Sequence, residues 1–73
     1  MRTTIDGHQV RTEPCDGLRG HHRVFADGRF TGLVVVDRAN NCYTLPAADI
    51  GGPVCHAPTC QAAIITLVVE AFR

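Results

Sequence analysis

Hydrophobic positions are sparse over Met1–Gly20, bunch into short runs between His21 and Leu45, and run almost unbroken from Ala62 to Phe72. The last stretch, Thr59–Arg73, predicts a helix. Pro58 precedes Thr59, and a threonine hydroxyl at that position caps the first turn. The run contains neither Gly nor Pro, lacks period-2 alternation and exceeds the usual length of a strand. Its β-branched residues (Ile64, Ile65, Thr66, Val68, Val69) argue the other way, since they favour strands. Wound as a helix, it carries Leu67, Ala71, Ile64, Val68, Phe72, Ile65 and Val69 around one arc, with Thr66, Glu70 and Arg73 opposite. That arc spans about 200°, roughly twice what a helix lying on one core needs.

The middle of the chain reads as strands. His21–Ala26 and Arg29–Asp37 flank Asp27-Gly28, which supplies the positive φ values of a two-residue hairpin turn. The register this implies sets Ala26 opposite Arg29, Phe25 opposite Phe30 and Val24 opposite Thr31, so the two phenylalanines pair across the strands. Leu33-Val34-Val35-Val36 is apolar in both parities, as suits a central strand. Cys42–Leu45 is a third strand, stopped by Pro46, and Val54–His56 is a short fourth. Residues 1–20 are turn-rich, with Asp6-Gly7 between Thr3–Ile5 and His8–Thr12. They form either an edge hairpin or a flexible arm, and the hairpin is favoured. The expected fold is therefore α+β: one domain over 1–73, a three- to four-stranded antiparallel β-meander packed against one C-terminal α-helix.

Composition narrows the function classes. The chain has 73 residues, a size at which one core barely offsets the entropy of ordering, so association is a natural source of stability. Seven arginines balance seven acids and lysine is absent. Arginine without lysine, beside many Ala, Gly and Val, suggests a high-GC genome, actinobacterial or phage. Zero net charge gives no overall pull toward nucleic acid. Met1–Asp6 lacks the apolar core of a secretory signal, and the C-terminal run is too short for a bilayer and includes Glu70. The expected setting is cytoplasmic, with no membrane partner and with cysteines held mainly as thiols.

Four cysteines and four histidines supply the candidate chemistry. Cys55, His56 and Cys60 form the tightest cluster, and Cys15, His21, His22 or Cys42 would complete a tetrahedral zinc site. Only one loose C-x4-C is present, whereas structural zinc sites usually have two knuckles, so zinc is an alternative and no cofactor is expected. Disulfides between Cys55 and Cys60, or Cys15 and Cys42, are further options. Cys60 at the helix start, with His56 four residues before it, has the ingredients of an activated thiol. No orienting third group or oxyanion hole accompanies them, so the chain reads as non-catalytic.

Two resemblances attach to these motifs. Val24, Asp27, Gly28 and Gly32, followed by Thr59 and Ala63, resemble compact sheet-plus-helix modules of phage and actinobacterial proteins, with an outline similar to the arm-type DNA-binding domains of phage integrases. That resemblance implies nucleic-acid contact through the hairpin, with Arg23, Arg29 and Arg38 as the available cations. Ala48-Asp49-Ile50-Gly51-Gly52 and Thr59-Cys60-Gln61-Ala62-Ala63 are similar to segments of HicB-like antitoxins, without the first proline of their turn or the acidic residue before their helix. The leading expectation is a small accessory or regulatory association module, a homo-oligomer or a module docking a protein partner. Its predicted contact residues are Ile64, Ile65, Leu67, Val68, Ala71 and Phe72. Nucleic-acid binding and a small structural zinc protein are the alternatives.

Overall fold

In the computed structural model, residues 2–73 are described and Met1 lies outside the described residues, so the expectation for 1–20 is read from Arg2 onward. The chain forms strands β1 (Arg2–Ile5), β2 (His8–Pro14), β3 (His21–Ala26), β4 (Arg29–Val36), β5 (Cys42–Pro46) and β6 (Cys55–Ala57), then helix α1 (Cys60–Ala71). All six strands join one sheet in chain order, each antiparallel to the next.

The fold class is as expected, but the sheet has six strands rather than three or four. The added strands are the N-terminal pair. Asp6 and Gly7 adopt φ values of 52° and 79° and close a tight turn. β2 then lines up along β3, Val10 opposite Ala26 and Thr12 opposite Val24. The backbone ladder, more than side-chain hydrophobicity, incorporates this segment: among the residues of β1 and β2 only Val10 is fully buried. Prolines close β2 and β5, where each stands at a strand terminus and the missing N–H interrupts no interior bond.

The β3–β4 hairpin departs from uniform register. Ala26 faces Arg29 and Phe25 faces Phe30, but Val24 faces Gly32, with a bulge that leaves Thr31 as the extra residue. The buried Thr31 hydroxyl donates to the Val24 carbonyl at 3.0 Å, which satisfies a polar group inside the core. The bulge sets the parity of all that follows in β4. Gly32, Val34 and Val36 share one face with Val24, Cys42 and Thr44; Phe30, Leu33 and Val35 share the other with Phe25, Tyr43 and Leu45.

Helix α1 lies on the first face. Thr59 is its N-cap, the hydroxyl accepting from the Ala62 N–H at 3.0 Å. Ala63, Ile64, Leu67 and Val68 pack inward and complete a core with Val10, Val24, Ala26, Val34, Cys42 and Ala57. Leu67 comes down onto Gly32: a Cβ there would stand 3.0 Å from a Leu67 methyl group and 2.4 Å from the Leu45 carbonyl oxygen. The C-terminal end of the helix is held by Arg29, which donates to the Ala71 carbonyl at 2.9 Å. No helix among the described residues is long and apolar enough to cross a membrane.

Candidate association surface

One half of the predicted helical arc packs and the other half does not. Of the six predicted contact residues, Ile64, Leu67 and Val68 belong to the chain's own core and Ala71 is half-buried. Ile65 and Phe72 stay exposed and, with Val69, form an outer stripe, each 38–39% accessible. The periodicity pointed to this stripe, but it is three side chains wide. Phe72 is also occupied, stacking on the His8 ring at 3.9 Å between centroids. His8 in turn donates from Nδ1 to the Asp27 carboxylate at 2.6 Å, and Asp27 also accepts from the Gln9 N–H at 2.9 Å. The side-chain bond from His8, followed by the one from Gln9, holds the Asp27 pKa below its ordinary value.

A second apolar surface is the sheet's other face. Cross-strand partners project to the same side of a sheet, so the register collects Phe25–Phe30, Leu33–Leu45 and Val35–Tyr43–His56 as successive rows there. Phe25 and Phe30 lie tilted with centroids 5.6 Å apart, and Tyr43 meets His56 edge-on at 5.4 Å. Phe25, Leu33, Val35, Tyr43 and Leu45 are half-buried by one another, and Phe30 is exposed. The single helix lies against the opposite face. The molecule exposes 4743 Å², against about 4,400 Å² expected of a monomer of this mass.

Charge is confined to one side of this face. Arg11 stacks over the Phe25 ring at 4.4 Å and pairs with Glu13, and Glu13 stands opposite Arg23 in the ladder. Toward β1 the face dips into a recess of about 510 Å³ whose lining includes Arg2, Gln9, Arg11, Phe25 and Gly28.

The three arginines of the nucleic-acid alternative are dispersed. Arg23 is on the open sheet face, Arg29 on the helix side near Asp49 at 3.4 Å, and Arg38 in the exposed turn after β4. The candidate zinc ligands are separated as well. Cys55 follows Thr44 toward the helix face and donates to the Pro53 carbonyl at 3.6 Å, while His56 follows Tyr43 to the open face and donates to Asn41 at 3.4 Å. Among the described residues, no group of three or more His, Cys, Asp or Glu side chains is placed to hold a metal ion. Cys60 meets neither Cys55 nor His56 but Cys42, a pairing the sequence spacing did not signal.

No family model, curated protein or solved structure matches this chain.

Proposed function

We propose that this protein is a non-catalytic association module that pairs with a second copy of itself through the open face of the sheet. The observation that carries this is the apolar centre formed by Phe30, Leu33, Val35, Tyr43 and Leu45, over which the described residues place no second layer. An antiparallel sheet that faces water on one side alternates apolar and polar residues; β4 is apolar on both.

Size and charge favour a second copy as the occupant. Six strands spaced ~4.8 Å apart and roughly 10–26 Å long give a footprint of about 500 Å². Side-chain relief raises the accessible area toward the ~800 Å² per partner of a stable interface. The layout has an aromatic and aliphatic centre and an arginine-bearing border, the usual anatomy of a protein–protein contact. Arg11, Glu13 and Arg23 carry both signs along one side, so two copies related by a two-fold axis can set unlike charges against each other. The dispersal of Arg23, Arg29 and Arg38 gives a phosphate backbone no continuous track.

Sedimentation of the purified chain, with two variants, tests this. The wild type is expected to be a dimer at high micromolar concentration. Leu33→Asp should be a folded monomer and Val69→Asp should remain a dimer. A wild-type monomer at that concentration overturns the proposal. Dissociation by Val69→Asp but not by Leu33→Asp transfers the contact to the helix stripe. Salt-sensitive binding of DNA by the monomer would instead select the nucleic-acid alternative.

A further inference from the structure

Away from the open face, the most concentrated unassigned chemistry is a pair of thiols. Cys42 opens β5 and points under the helix; Cys60 is the first residue of α1. Their sulfur atoms are 3.0 Å apart across 18 positions of chain. The two are not equivalent. Cys42 is 3% accessible and Cys60 is exposed. Cys60 sits at the open start of the helix, within reach of an oxidant in solution. Cys42 is held as the thiol: the contact with Cys60, then burial, then the Asp37 carboxylate all raise its pKa. A recess of about 160 Å³, lined by Thr12, His22, Val34 and Ile64, opens onto Cys60. A water molecule takes up about 30 Å³ of liquid, so a small peroxide fits.

We propose that Cys42 and Cys60 form a reversible redox staple, closed by a small hydroperoxide and reopened by a low-molecular-weight thiol. The Cys60 thiolate attacks the terminal peroxide oxygen, the O–O bond breaks, and the alcohol (water, for hydrogen peroxide) leaves after taking up a proton. Cys60 is then a sulfenic acid. The Cys42 sulfur attacks the Cys60 sulfur, the S–S bond forms, the S–O bond breaks, and the hydroxyl departs as water with the Cys42 proton. Two thiols and one hydroperoxide give one disulfide, one alcohol and one water. Two external thiols reverse the closure and are themselves joined as a disulfide. The staple ties the start of the helix to the sheet and closes the long loop through β6.

The test uses the full chain with one equivalent of hydrogen peroxide. Two of the four thiols should be lost, with Cys15 and Cys55 still open to alkylation. In a Cys55→Ser variant, cleavage before Asp49 separates Cys42 from Cys60, and the two peptides should remain joined until a thiol is added. The melting temperature should rise by roughly 10–20 °C on closure and return on reduction. Cys60→Ser alters an exposed position, so it should fold and its melting should ignore peroxide. Linkage of Cys60 to Cys55, a disulfide between two chains, or overoxidation of Cys60 with Cys42 still free would each overturn the proposal.

Discussion

Gly32 meets three demands at once: it follows the bulge, its φ is 146°, and both a backbone carbonyl and Leu67 press against the place a side chain would occupy. Gly32→Ala is therefore expected to lower stability by roughly 2–4 kcal/mol in urea titrations, from a backbone conformation unfavourable to alanine plus overpacking. Gly28→Ala, with a positive φ but open space, should cost about 1 kcal/mol. Acid should act through Asp27. Its carboxylate has a lower pKa folded than unfolded, because His8 and Gln9 donate to it. The stability this contributes is complete above about pH 4 and is lost as pH falls through the folded value. Urea midpoints measured from pH 5 to 2 should thus fall more steeply for the wild type than for Asp27→Asn. The turns at Asp6-Gly7 and Asp27-Gly28 were legible because Asp-Gly has few other uses. The bulge was not: Thr31 and Gly32 carry no local mark that one of them is left unpaired.

Helix α1 and its cap were legible from Pro58-Thr59 and the unbroken run after it, and removing the cap should show. Thr59→Ala leaves the Ala62 N–H without its acceptor and should cost about 1 kcal/mol, read from the shift in the urea midpoint. Periodicity identifies which helical positions are apolar, but not which half of a wide arc meets the sheet. That choice depends on where Gly32 lets the helix approach, a long-range fact about β4. The N-terminal hairpin was hard to place for the opposite reason. β1 is an outer strand with only Ile5 half-buried, so it is held by its ladder to β2 and carries almost no hydrophobic pattern. The Cys42–Cys60 contact likewise depends on how the helix start crosses β5, which spacing along the chain does not encode.

For the whole molecule, the two faces of the sheet predict different responses to the same kind of truncation. Leu67 is 1% accessible beneath the helix. Leu67→Ala should cost about 3–4 kcal/mol, most of the roughly 5 kcal/mol available to a domain at the low end of stability, and thermal melts should show the midpoint lowered by roughly 12–30 °C. Leu33→Ala, half-buried on the open face, should change the stability of the single chain by less than about 1 kcal/mol. Its effect should appear instead in the dissociation constant of the proposed dimer. The continuous apolar character of β4 was legible as a central strand, and its second face is the surface on which the proposed pairing rests.

The strands at the two margins, β1 and β6, are four and three residues long. So short a margin exposes few free amides and carbonyls, and β1 is mostly polar, so lateral growth by strand addition has little template. An assembly built by stacking the broad faces uses up its adhesive surface once two copies have met. This geometry favours a closed pair over a fibril, even though the chain carries so much apolar sheet.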